Sequence, residues 1–430
     1  MSTNLPHMKD PQTAQDPLLP KGALWPFLLL SSCFLWWAIA NNLTDPLVRV
    51  FKDIFVMSTF QASLIQFAFY FGYFCMALPG ALIARKFTYK TGVLVGLGIY
   101  AGGCLLLFPA MLSEQFWFFC LSFYVLACGL GVLETNANPY VLALGSEETA
   151  TRRLNFAQSF NPIGSVIGIM MAQSLIMANL PKDAEGNLHI AEEAVGSALT
   201  TVILPYLSVA AILVVVWLLI LLTKMPQASE GGPGVEFSGT ITRLLRNRIY
   251  CFAVVAQFCY VGTQISVWTY TNFYIPEELG VTQEVALLWH TAALILFGCS
   301  RWIFTGLMRF YSAPALLCFA AVMGALMSLI VVFVGGLPGA VALIATSGFM
   351  SLMFPTIFGI GCQGLGKDAK LASSGLIMAI IGGAILTPSQ GWLIDLFGVA
   401  LSYLQPFACF IVIALFAWSG YLQNRPPETN

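Results

Sequence analysis

The stretch GLGVLETNANPYVLALG, residues 129–145, sets an acid, two asparagines and a proline inside a run that is otherwise apolar enough for lipid. If the run crosses a membrane, Glu134 needs a reason to be there, because an ionisable side chain deep in a span costs about 2.5–3.5 kcal/mol on insertion scales. The fold therefore follows from what surrounds it.

The surroundings are greasy. Of 430 residues, 58% are apolar and only 9% charged, far more apolar surface than one soluble core hides. A spanning helix needs roughly 20 apolar residues. Twelve such runs recur, at 24–48, 60–84, 91–112, 116–144, 154–178, 198–223, 249–275, 284–308, 314–335, 338–363, 371–397 and 402–422. They are continuous rather than alternating, so they read as helices and not as barrel strands. The expected class is an all-α membrane protein with the lipid bilayer as its solvent. The first run has no A-x-A site behind a short h-region, so no removable signal peptide is expected. The eleven cysteines lie in or beside apolar runs without a C-x-x-C pair, which argues against a disulfide framework or a metal site.

Charge sets the expected orientation. Lys and Arg gather in the loops on the side of the N-terminus, from Arg85, Lys86 and Lys90 to Lys367 and Lys370. The opposite loops hold only Arg49, Lys52 and Lys182. By the positive-inside rule both termini are expected in the cytoplasm. The Gly-, Ser- and Arg-rich segment 224–247 follows the sixth run and reads as a linker. It divides the chain into a tail 1–22, a six-helix bundle 23–223, a second bundle 248–422 and a tail 423–430. A duplication fits that division: Gly72 and Gly80 are matched by Gly298 and Gly306, and Pro139 with Gly145 by Pro355 with Gly361. Two six-helix bundles rocking about a midplane site are the plan of a transporter.

Polar residues inside the runs show what such a site handles. Trp37, Asn41 and Asp45 share one helix face, flanked by Asn42. Glu134 and Asn138 are i, i+4, and Pro139 removes the donor for the carbonyl of Thr135, which predicts a loosened helix beside the acid. In NFAQSFNPIGS, Gln158, Asn161 and Ser165 share a face, and Pro162 frees the carbonyl of Gln158. Gln257, Tyr260, Gln264 and Trp268 form a stripe on the seventh run. His290 and Arg301 fall near one face of the eighth, and Asp395 lies near the end of the eleventh.

Amides donate and accept, which suits hydroxyls, and indoles offer flat walls to the C–H face of a sugar ring. A neutral polyol fits this set better than an ion. Concentrating a neutral sugar requires an accompanying charge, and Asp45 and Glu134 are acids able to carry a proton. One charge moved through 100 mV is worth about 2.3 kcal/mol, roughly a fiftyfold ratio. The proton is thus the expected coupling ion, with no cofactor, no metal and no catalytic residue. No H-E-x-x-H, G-x-S-x-G or Cys/His grouping suggests an enzyme. Against this stand bland readings: amides that glue helices at about 0.6 kcal/mol each, a satisfied interior His290, and an Arg301 that pairs, gates or touches substrate.

Seven stretches together carry a resemblance: LWWAIANNLTDP, LIQFAFYFGYF, GVLETNANPYV, NFAQSFNPIG, AQFCYVGTQ, FPTIFGIG and GGAILTPSQGW. In this order they look like the fucose permease family of the major facilitator superfamily. The resemblance implies the twelve-helix major facilitator fold in two bundles, a bacterial inner membrane location, and proton-coupled import of L-fucose or a related hexose by alternating access. It implies proton coupling at Asp45 and Glu134 and sugar contacts at Asn42 and Asn161. Trp37, Gln158, Gln257, Gln264 and Trp268 match further cavity positions, and Asn138, Arg301 and Phe354 are candidate gate or substrate contacts. Two departures stand out. Ala84 occupies the loop position after the second span where the superfamily usually has Asp, and Phe354 stands where the family pattern has Tyr. Relatives that carry glucose or galactose share the ETNANP-like segment, and an exporter on the same scaffold or a non-transporting sugar sensor are the rivals. The expected partners are a small sugar and lipid, with no nucleic acid, and the expected state is a monomer.

Overall fold

The computed structural model describes residues 17–44, 47–57, 59–181, 194–226 and 237–423. Among these residues there are helices and no strands. Twelve helical segments are long and apolar enough to cross a membrane: Leu24–Thr44, Phe67–Lys86, Tyr89–Ser113, Phe116–Ala143, Ala150–Met177, Val195–Leu222, Arg248–Leu279, Val285–Leu307, Ala313–Phe333, Gly336–Cys362, Gly366–Phe397 and Val399–Leu422. They are numbered here as spans one to twelve. A chain in hydrocarbon must satisfy its backbone within each segment, which is why apolar runs of this length become helices.

On either side of positions 45–46 the described residues are helical, Leu24–Thr44 and Leu47–Ile54. In the second stretch Leu47, Val50, Phe51 and Ile54 are buried at the i, i+3, i+4, i+7 spacing of one helix face. Asp45 lies outside the described residues. The segment 237–246, expected as linker, contains a helix, Phe237–Arg246. The remainder of the 1–22 and 423–430 tails and of the linker lies largely outside the described residues.

Spans three and four show how small residues build each bundle. A Cβ on Gly96 would stand 2.5 Å from the main-chain nitrogen of Leu133, and one on Gly129 would stand 2.2 Å from that of Tyr100. Only glycine lets these backbones meet, and close van der Waals contact is the main attraction between helices in lipid. The duplicated glycines, in contrast, do different work in the two halves. A Cβ on Gly72 would collide with the carbonyl oxygen of Tyr124 in span four at 2.7 Å, whereas Gly298 faces Pro162 of the other half and Gly306 has open space beside it.

The helix breaks also differ from expectation. Span four runs unbroken through Pro139, so the helix is not opened beside Glu134. Breaks fall instead in spans five, ten, eleven and twelve, and those in five and ten stand just before a proline. Span five is divided at Ser159, three residues before Pro162, and span ten at Ser351 and Leu352, just before Pro355. Proline removes the amide that would hold the carbonyl four residues back, so these are the places where the ladder is weakest.

Candidate functional site: a polar floor between the two halves

Spans five and ten break at the level where the two bundles meet, and Arg301 of span eight lies between them. Its Nε donates to the carbonyl of Ser351 at 2.6 Å and its Nη1 to the carbonyl of Gln158 at 2.9 Å. These are the two carbonyls that Pro355 and Pro162 deprive of a helical donor. One buried guanidinium therefore supplies both halves. Its planar fork presents several N–H groups at fixed angles, which an ammonium cannot do. The Phe297 ring lies 4.7 Å from the guanidinium carbon, and Trp302 packs edge-on to Phe156 across the halves at 5.4 Å.

From Gln158 the network continues into the first bundle. Its Nε2 donates to Asn138 Oδ1 at 2.7 Å, and Asn138 lies one turn from Glu134 on the same face. Glu134 is 6% exposed, and its Oε2 has no hydrogen-bond partner among the described residues. The ion pair found among those residues joins Arg243 to Asp368 at 2.7 Å, away from the floor. The carboxyl therefore sits beside amides and not beside a cation. No group of three or more His, Cys, Asp or Glu able to hold a metal occurs among the described residues.

On one side of this floor the polar side chains are open. Trp37, Asn42, Asn161, Gln264 and Trp268 are all half-buried. The Trp37 indole donates to the Tyr73 hydroxyl and packs edge-on to its ring. Asn42 donates to Ala38 of its own helix at 2.8 Å, leaving its carbonyl side for other partners. The Trp268 indole donates to Ser347 at 3.1 Å and packs edge-on to Phe297 at 5.1 Å. His290 Nδ1 lies 3.2 Å from Asn272 Nδ2, so it is held by an amide and not by an acid. Asp395 is exposed. Gln158 and Gln257 belong instead to the closed floor, at 4% and 0% exposure. The break at Ser159 turns Gln158 toward Asn138 while Asn161 stays on the open side, so the stripe read along span five is split between two roles. Phe354 is buried, its ring 6.3 Å from that of Tyr260.

On the cation-rich face the halves are shut. Asn155 Nδ2 donates to Thr356 Oγ1 at 3.1 Å, and the amide of Gly364 donates to Glu147 Oε1 at 2.8 Å. Lys370, at the start of span eleven, donates to the carbonyl of Ala84 in the last turn of span two at 3.1 Å and lies 5.0 Å from the Tyr89 ring. A cation at a helix C-terminus meets the negative end of its dipole, so this contact needs no carboxylate at position 84. Gly359 sits so close to span five that a Cβ there would stand 2.6 Å from Thr151 Oγ1. Outside the spans, Arg243 makes two bonds of 2.7 Å to Asp368, tying the linker helix to the head of span eleven. That carboxylate holds the Arg243 guanidinium above its usual range.

Several of these residues were not singled out by their sequence pattern. Asn155, Thr356, Lys370, Ser351 and Tyr73 look like ordinary helix or loop residues; the docking of the two halves gives Asn155, Thr356 and Lys370 their partners, while Tyr73 and Ser351 meet Trp37 and Arg301 within their own bundles. The prolines were the readable signal for Ser351, since Pro355 frees its carbonyl as Pro162 frees that of Gln158.

Comparison with known proteins agrees with the twelve-helix fold. A family model described as Major Facilitator Superfamily matches residues 27–384. The chain is 42% identical over 421 residues to the L-fucose-proton symporter of Haemophilus influenzae, covering 94% of this chain and 98% of that one. It is 40% identical over 404 residues to the L-fucose-proton symporter of Escherichia coli K12, covering 91% and 92%. The solved structure of FucP, a superfamily transporter in the outward conformation, aligns with a TM-score of 0.85 at 39% identity over 92% of this chain and 99% of that one.

Proposed function

The chain belongs to the Major Facilitator Superfamily, and on that premise we propose that it imports L-fucose together with a proton by alternating access. The observation that carries the coupling is Glu134: a buried carboxyl, beside amides, with no cation paired to it among the described residues. The identity of the sugar rests on the relatives, whose names specify L-fucose and a proton.

In this reading the cation-rich face is cytoplasmic, both termini lie there, and the protein is a multi-pass component of a bacterial inner membrane that works as a single chain. The bundles 23–223 and 248–422 are the rocking units and 224–247 is the linker. The state described here is closed at the cytoplasmic face. Sugar enters from the opposite side and meets Trp37, Asn42, Asn161, Gln264 and Trp268, whose amides bond its hydroxyls and whose indoles cover its C–H face. Glu134 takes up a proton before the loaded carrier closes, because carrying a bare carboxylate through the occluded state costs far more than carrying a neutral acid. Asp45 is assigned the same duty nearer the entrance. Arg301, Asn138 and Phe354 form the gate, since both of the described Arg301 bonds go to carbonyls of the two halves.

Turnover then follows as a sequence. Closing over the sugar at the outer side accompanies release of the Asn155–Thr356, Glu147–Gly364 and Lys370–Ala84 contacts. The site opens to the cytoplasm, sugar leaves, Glu134 gives up its proton, and the empty carrier resets. The test is counterflow in proteoliposomes together with alkalinisation of lightly buffered cells on adding sugar. L-fucose exchange and a rise in external pH are expected; exchange of no hexose or deoxyhexose ends this reading.

A further inference from the structure

Three side chains on the second-bundle side of the floor end in atoms that meet no partner among the described residues: both amide atoms of Gln257, the Tyr260 hydroxyl and the Ser351 hydroxyl. All three residues are fully buried. They are also gathered in one place. Gln257 and Tyr260 stand three apart on one face of span seven. The Tyr260 ring lies 6.3 Å from that of Phe354, three residues beyond Ser351 in span ten, and Arg301 Nε is bonded to the carbonyl of Ser351. The wall behind them is the Phe354 ring against that of Tyr260.

A buried polar atom left unpaired costs about 1–3 kcal/mol, and native folds keep few of them. Here three neighbouring groups, each able to donate and accept, are left unpaired together in the state closed to the cation-rich face. They match what a ring of hydroxyls presents. At 1.5 Å per residue of helix, Gln257 lies about 10 Å and Tyr260 about 6 Å nearer the cation-rich face than the half-exposed Gln264. We infer that Gln257, Tyr260 and Ser351 form a second, deeper hydroxyl-binding layer, which takes adjacent hydroxyls of the sugar as the floor parts and holds it on the second bundle during inward release. Tyr260 and Ser351 are thereby specificity-determining residues. The inference rests on the sugar reading above and deepens it.

The experiment uses the full chain in proteoliposomes, with L-fucose and each of its monodeoxy analogues as probes. Wild type is compared with Tyr260→Phe, Ser351→Ala and Gln257→Leu in counterflow and in equilibrium binding. For Tyr260→Phe the expected result is about a tenfold loss for L-fucose, the order of one hydrogen bond to a buried group. One deoxy analogue should be carried equally by wild type and variant, because the hydroxyl it lacks is the one the phenol meets. Tyr260→Phe is the primary variant because it keeps the ring that packs on Phe354, and thermal unfolding of each variant identifies one that has lost its fold. A Tyr260→Phe profile within twofold of wild type for every analogue, or a loss equal for all of them, overturns the deeper layer alone. Wild type that exchanges no hexose overturns the sugar reading with it.

Discussion

Arg301 of the second bundle donates to the main-chain oxygen of Gln158 in the first at 2.9 Å, and that oxygen is free because Pro162 has no amide to offer it. Its other described bond goes to Ser351, freed in the same way by Pro355. The side chain thus serves the broken helix of each half, and its bond to Gln158 crosses between the halves. Arg301→Lys keeps the charge but not the two-pronged geometry. The expected outcome is a loss of at least about tenfold in counterflow, since a charged hydrogen bond is worth about 1.5–3 kcal/mol. Pro162→Ala, which restores a competing amide for Gln158, is expected to slow transport in the same direction while leaving thermal stability equal or higher. Counterflow and unfolding temperatures measured side by side check both.

Glu134→Gln keeps the size and hydrogen bonding of the neutral acid and removes the proton. The expected variant exchanges labelled sugar across the membrane yet does not accumulate it under a pH gradient. Sugar-induced alkalinisation is lost as well. Accumulation that persists under the gradient takes Glu134 out of the proton path.

The Lys370 contact with Ala84 and Tyr89 exists only while spans two and eleven are together. Lys370→Met removes the charge and keeps much of the stem, so the closed cation-rich face loses a contact that its open counterpart never had. Spin labels on spans two and eleven are expected to report a longer mean distance in Lys370→Met than in wild type, and Lys370→Arg to restore the shorter one. Distances unchanged in Lys370→Met remove this residue from the seal.

Gly359 is tested from the steric side. Its Cα approaches Thr151 so closely that any side chain meets Oγ1 and Cγ2 within about 3 Å. Gly359→Val is expected to wedge spans five and ten apart and to favour the state open at the cation-rich face, raising the labelling rate of cysteines placed in that crevice. Thr151→Ala in the same chain relieves part of the clash, and the labelling rate should fall back accordingly.

Much of this was legible in the linear order of residues. Helix number and placement followed from run length, because lipid permits few ways to satisfy a backbone. The lone acid in ETNANP was legible for the same reason, since nothing but function or a partner keeps a carboxyl there. The weak point was partnership. Pro139, Pro162 and Pro355 all remove an amide, yet span four stays whole while spans five and ten break. The consequence of a missing hydrogen bond depends on what else packs against that turn.

Composition and the spacing of apolar runs sufficed for an all-helical membrane protein and for its unusual acid, because these depend on transfer from water to lipid, a property each segment has alone. The pairing of Arg301 with Gln158 and Ser351, the seal of Lys370 on Ala84 and the division of one amide stripe between an open wall and a closed floor arise between segments. They depend on where two bundles touch, and that is settled by shape and the directionality of hydrogen bonds, to which no single stretch of the chain has access.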